Sequence, residues 1–286
     1  MPTDPWDETV RLVQRLEMLE YHHVWVYDHL SWQRYRDRPW HATYPWLTGL
    51  AAHTERIRLG TMVSNLNVRH PLTLAKDAMT IDHVSGGRFT IGLGAGGVGF
   101  DATVLGQPKL SAAQRVDRLT EAAGLMDRLL RGGGRNHHGT FYEVSEARLL
   151  PGCVQQPRVP LAIAAGGSRA LRVVALYGDA WITYGDTTHR ESAASAERSV
   201  ADQARRLDDF CAEIDRDAAE IDRIYLIGNT EARPLASLAA FEDFAGRHAA
   251  LGFTDLVFHM PRAEDSMWND APEMVDAIAE SFLRHG

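Results

Sequence analysis

The feature that most constrains this chain is a repeated change of period. Seven short apolar runs alternate with longer segments in which apolar residues recur every three or four positions. The runs are "HVWVYD" (23–28), "RIRLGTMV" (56–63), "RFTIGLGAG" (88–96), "LAIAAG" (161–166), "AWITYG" (180–185), "IYLIGN" (224–229) and "DLVFHM" (255–260). Between them lie helical patterns such as 111–130, where Val116, Leu119, Ala123, Met126 and Leu130 form one core-facing stripe. Strands spaced by crossover helices predict an α/β protein built on a parallel sheet or barrel. The spacing breaks once, between 96 and 161. There, Gly and Pro clusters follow the helix over 111–130 and read as an insertion, about 97–160, running over the mouth of a barrel.

A TIM-type (β/α)8 barrel needs eight strands, whereas this sequence opens on a helix, "PWDETVRLVQRLEMLEYH", capped by Asp4 with Pro5 at its first position. The expected fold is therefore such a barrel lacking its first strand in this chain, with residues 1–286 forming one domain. Edge strands are normally covered. An upstream start, a partner chain or a truly open barrel each explains the gap.

In a βα barrel the site sits at the C-terminal ends of the strands. That rule draws attention to Asp28 and His29 after the first run: histidine exchanges protons near neutral pH, and a carboxylate beside it tunes or orients it. The structural alternative is that Asp28 caps the loop and His29 bonds backbone. Three Gly-rich strand ends lie at equivalent places, "GLGAGG" (92–97), "AAGGSRAL" (164–171) and "TYGD" (183–186). At the second, Gly166, Gly167 and Ser168 open a helix whose N–H groups suit a phosphate. Ordinary tight turning explains such glycines equally well, and "GLGAGG" lacks the acidic residue of a dinucleotide fingerprint.

Other functions are disfavoured. A formal charge of −8, with Lys76 and Lys109 the only lysines, gives no concentrated basic surface for nucleic acid. No run approaches the roughly 18 apolar residues of a membrane span, and no basic, apolar leader opens the chain. Cys153 and Cys211 make no disulfide framework, so a reducing cytoplasmic setting is expected. No catalytic metal is expected either. His22-His23 and His137-His138 are adjacent pairs, and strand neighbours point to opposite faces.

Taken together, "VWVYDH" (24–29), "PWLTGLAAHTERIRLGTMV" (45–63), "RHPLTLAKDAMTIDHVSGGRFTIGLGAGG" (69–97), "RVDRLTEAAGLMDRLL" (115–130), "GTFYEVSEARLLPGCVQQPRVPLAIAAGGS" (139–168) and "LGFTDLVFHMP" (251–261) resemble the bacterial-luciferase-like family of flavin and deazaflavin oxidoreductases. The resemblance implies a TIM-type barrel binding a flavin-like ring at its mouth. It further implies His29 as acid/base beside the reacting carbon, with Asp28 orienting it. Trp32 matches the tryptophan that follows, one residue early. A cis peptide is implied at Met62–Val63. Gly94, Gly96 and Gly97 are implied to line the ring or ribityl chain, Gly166, Gly167 and Ser168 to receive the phosphate, and Thr183 and Tyr184 to lie near it. Gly97 stands where sugar-phosphate dehydrogenases of the family carry a proton-donating glutamate, so that substrate is not expected.

The cofactor decides the reaction. "YDHLSW", the ending "LVFHMP" and the Arg-rich, high-GC character of the chain favour coenzyme F420, an 8-hydroxy-5-deazaflavin, and hydride transfer to or from a small organic substrate. The alternatives are an FMN-dependent monooxygenase and a non-catalytic flavin-binding protein with an incomplete barrel. Tyr35, Trp40 and Tyr44 are candidates for an apolar pocket, Trp46 for the core through its spacing from Leu50, and His259 and Arg262 for substrate or phosphate contacts. A homodimer is expected.

Overall fold

The computed structural model describes residues 4–32, 35–185, 193–228, 232–262, 265 and 268–283. Asp186 and Asn229, the last residues of two motifs singled out above, lie outside them. The chain divides into two compact units, Met1–Met18 with His22–Ala164, and Leu19–Tyr21 with Ala165–Gly286.

The first unit begins with α1 (Trp6–Met18), whose buried Val13 and Leu16 lie three apart on one face. Its sheet is parallel. β1 (His23–Val26) pairs with β2 (Arg58–Thr61), with Trp25 opposite Gly60. α2 (Thr43–Ala52) lies between them in sequence and buries Trp46 and Leu50, the pair expected in the core. After β2 the Met62–Val63 peptide is cis, as the resemblance implied. A two-residue strand, β3 (Ser64–Asn65), then pairs with the end of β4 (Phe89–Gly94). α3 (Pro71–Ser85) separates them, with Pro71 at its first position and Gly86 ending it at φ 63°.

β4 is buried throughout, since it pairs with β2 and β3 on one side and with β7 (Leu161–Ala164) on the other. α4 (Ala112–Leu130) starts at a capping box, Ser111 with Gln114, and buries Leu119, Ala123, Met126 and Leu130 of the stripe, while Val116 at its start is half-buried. The segment before β7 holds a small antiparallel hairpin, β5 (His137–His138) with β6 (Glu143–Val144), which hydrophobic periodicity did not signal.

In the second unit α5 (Ser168–Tyr177) leads to β8 (Ala180–Thr183), then α6 (Ala193–Ala212), β9 (Asp222–Leu226), α7 (Leu238–Ala250), β10 (Asp255–Val257) and α8 (Glu273–Ile278). β9 pairs in parallel with β8 and β10. All seven expected strands form, each ending before its apolar run does; β2 starts two residues inside its run and β9 two residues ahead of it. Among the described residues no helix is long and apolar enough to cross a membrane.

Candidate active site at the strand ends of the first unit

The polar cluster beyond β1, β3 and β4 is built by its hydrogen bonds. Asp28 and His29 follow the last residue of β1, and their side chains go to different partners. Asp28 is 1% exposed. Its two oxygens take a bidentate pair from Arg69, at 2.8 and 3.1 Å, and Oδ2 also accepts the Asn65 N–H at 3.0 Å. Burial alone would lower the Arg69 pKa, but the Asp28 carboxylate outweighs it and holds the guanidinium charged. Arg69 stacks over Tyr44, whose hydroxyl bonds Ser64 at 2.7 Å. Burial, with the Asp28 charge behind it, pushes the Tyr44 phenol far up, so it stays neutral. Asp28 and Tyr44 thus belong to the buried floor.

His29 turns the other way, with 29% of its side chain exposed. Its Nδ1 lies 2.9 Å from Asp101 Oδ2. The same oxygen accepts the Asn65 amide at 3.1 Å and the Leu30 N–H at 3.3 Å. The expectation that Asp28 orients His29 is therefore corrected: Asp28 is consumed by Arg69 and Asn65, and Asp101, in a short 3₁₀ turn (Phe100–Ala102), takes that place. Its signal was available. Asp101 is the one charged residue between Arg88 and Lys109.

Aromatic rings surround the imidazole. Trp32 stacks on Tyr27 and Tyr35 with centroids 5.3 and 5.5 Å apart, and the rings of Trp32 and Trp40 lie 6.2 and 6.0 Å from that of His29. Tyr35 is buried. Trp40 Nε1 and Asp101 Oδ1, a donor and an acceptor, are buried without partners among the described residues. Gly94 ends β4 against Val63; a Cβ there would stand 2.4 Å from Val63 Cγ2, so only glycine leaves the Val63 side chain its place beside the strand end. Gly96 has φ +83° and faces Arg118 and Asn67, while Gly97 is exposed. In the first unit His29 and Trp32 therefore lie together, and Val63 packs against Gly94 at the β3–β4 edge.

Gly166, Gly167, Ser168, Thr183 and Tyr184 belong to the second unit. Gly167 is the N-cap of α5, and all three residues of the expected phosphate turn are exposed. Thr183 is 2% exposed and donates to Gln203 at 2.6 Å, which makes it a bracket between β8 and α6. Tyr184 is exposed. Arg262 pairs with Asp265 at 3.1 Å, and His259 stacks on Trp268 with centroids 3.7 Å apart. Burial, then the Arg262 charge, pushes His259 down to about 4, so it is neutral at pH 7.

The histidine pairs also depart from expectation in one respect. The rings of His22 and His23 lie 4.9 Å apart rather than on opposite faces, because His22 precedes β1 and escapes its alternation.

A model of the luciferase-like monooxygenase family matches residues 1–280. An F420-dependent glucose-6-phosphate dehydrogenase from Beutenbergia cavernae is 35% identical over 162 residues, 56% of this chain and 47% of that protein. A 4-hydroxyprotoasukamycin monooxygenase from Streptomyces nodosus subsp. asukaensis is 32% identical over 180 residues, 62% of this chain and 46% of that protein. The matches thus span about half the length of these curated relatives. Two solved structures show the same fold. The monooxygenase RslO1 from Streptomyces bottropensis superposes with TM-score 0.76 at 20% identity, covering 98% of this chain and 93% of that one. The coenzyme F420 dependent tetrahydromethanopterin reductase from Methanopyrus kandleri gives 0.71 at 16% identity, covering 98% and 95%.

Proposed function

The chain belongs to the luciferase-like monooxygenase family, and from that premise we propose that it is an oxidoreductase moving a hydride between coenzyme F420 and a small organic substrate. The observation that carries this reading is the Asp101–His29 pair, 2.9 Å apart, with the imidazole partly exposed among aromatic rings. The residues suit a planar ring: Val63 and Trp32 are part-exposed apolar side chains, and the unpartnered Trp40 Nε1 and Asp101 Oδ1 suit a ligand with polar edges. When bound, the deazaflavin supplies a carbon that takes up or returns hydride.

The protein's own work is proton handling. With Nδ1 donating to Asp101, Nε2 of His29 is left to take the proton of a substrate O–H or give it back. Asp101 fixes the ring's orientation and stabilises the imidazolium formed. Asp28 and Arg69 hold the floor beneath. Support for F420 comes from the dehydrogenase relative; FMN-dependent oxygenation is the second reading, favoured by the monooxygenase relative.

Titrating the protein with F420 and with FMN, followed by oxygen-uptake and F420-absorbance assays over a substrate panel, separates the two. Binding and redox turnover of F420, lost in His29→Ala with binding retained, is the expected result. Tight FMN binding with substrate-dependent oxygen uptake, and no response to F420, overturns the proposal. So does binding without turnover by the wild type, which fits a flavin-binding protein.

A further inference from the structure

Beneath the loop that follows β4 lies a second polar group, separate from the His29–Asp101 pair. Arg118, on α4, is 6% exposed. Its hydrogen bonds all run from one terminal nitrogen, to Asn67 Oδ1 at 2.6 Å and to the Ala95 carbonyl at 3.2 Å. Its Nε is buried with no acceptor. Arg115, one turn earlier and half-buried, shares one defect: its Nε is buried and unpartnered, and its one side-chain hydrogen bond is to the Leu110 carbonyl at 3.3 Å. No carboxylate pairs with either guanidinium among the described residues.

This is an expensive arrangement. A buried charge such as that of Arg118 is normally paired, and a second of like sign one turn away adds repulsion to desolvation. Burial pushes the Arg118 pKa down and Arg115 adds to that, with Tyr142 the one group acting against them. Tyr142 contributes a third donor. It is 8% exposed, its hydroxyl is buried without a partner, and burial pushes its pKa up to about 12, so it keeps its proton. Glu121, an acid close enough to act on Tyr142, is committed elsewhere: it accepts from His137 and from the N–H groups of Thr140, Phe141 and Tyr142.

Gly96 completes the frame. It adopts a left-handed φ of +83°, and a Cβ there would lie 2.8 Å from the Arg118 terminal nitrogen and 3.1 Å from Asn67 Oδ1. The backbone at 97–99 above it is exposed. Two uncompensated guanidinium groups and an unpartnered hydroxyl, all donors, define the chemistry of what belongs there.

We propose that Arg115, Arg118 and Tyr142 form a binding site for an oxyanion, a carboxylate or phosphate group carried by a small molecule. Occupancy supplies the missing counter-charge and an acceptor for each idle donor. A bidentate anion suits a guanidinium better than water does, because water leaves the two positive charges unpaired.

The test needs neither coenzyme nor turnover, so it stands apart from the assignment of the redox site. Inorganic phosphate and, separately, acetate are titrated into the whole protein at ionic strength held constant with chloride, and binding is read by calorimetry. Saturable binding of either anion is expected, weakened at least tenfold in Arg118→Gln and in Arg115→Gln and unchanged in Arg148→Gln, an exposed arginine elsewhere. Phosphate alone binding identifies a phosphate site, acetate alone a carboxylate site. Tyr142→Phe, which keeps the ring and removes only the hydroxyl, provides a gentler variant should loss of a buried arginine prevent folding; a severalfold weakening is expected. No saturable binding of either anion by the wild type, or wild-type affinity retained in Arg118→Gln or Tyr142→Phe, overturns the proposal.

Discussion

Replacing Asp101 by Asn tests which carboxylate serves His29, because the two candidates are built for different tasks. Asp101→Asn keeps an acceptor oxygen for the imidazole and for Asn65, and removes only the charge. A hydrogen bond to a charged partner is worth about 1.5–3 kcal/mol against about 0.5–1.5 for a neutral one, so the cationic imidazole loses about 1.5 kcal/mol of support. That corresponds to roughly a tenfold fall in kcat, with KM and folding nearly unchanged. Asp28→Asn removes the charge opposed to a bidentate arginine at a site 1% exposed. Breaking a buried pair costs about 3–5 kcal/mol of stability. The assay is a urea melt for each variant together with turnover of the best F420 substrate from the panel. Full turnover in Asp101→Asn, or a stable Asp28→Asn with tenfold lower turnover, refutes the reasoning and restores Asp28 as the partner.

Three further outcomes follow from the geometry. His259, with a folded pKa of about 4 against an ordinary 6.5, binds its proton more readily unfolded; stability is full above about pH 6.5 and falls toward pH 4. His259→Gln should recover about 2 kcal/mol of the stability that urea melts show being lost between pH 7.5 and pH 5. For Glu121, burial pushes the carboxyl up, but the His137 and three backbone N–H bonds prevail and hold it below its ordinary value, so its contribution is present at neutral pH and lost as the solution is acidified past the carboxylate range. Glu121→Gln should cost about 2–3 kcal/mol at pH 7 and little at pH 3, by the same melts. A Cβ at Gly92 would lie 1.9 Å from the Thr61 carbonyl oxygen, whereas one at Gly94 meets only the movable Val63 side chain at 2.4 Å. Gly92→Ala should fail to give soluble protein, and Gly94→Ala should lose about 1–3 kcal/mol, mostly restored in combination with Val63→Ala.

What the sequence made legible, and what it did not, divides along a physical line. The strands and the α4 stripe were readable because period is local: Leu119, Ala123 and Met126 need only each other's spacing to declare a buried face. The position of His29 at a strand end was readable for the same reason. Its partner was not, because the choice between Asp28 and Asp101 turns on which carboxylate Arg69 and Asn65 claim first, and those claims are made across the sheet. Proximity in sequence favoured Asp28; its commitment to Arg69 and the Asn65 N–H ruled it out, since both of its oxygens are already taken in the buried floor. Arg115 and Arg118 show the same limit in reverse. On a helical projection they read as ordinary flank charges, and only the packing of Gly96, Asn67 and Tyr142 around them exposes the missing counter-ion. Local periodicity therefore places the groups that do chemistry, and long-range competition for hydrogen bonds decides which of them are free to do it.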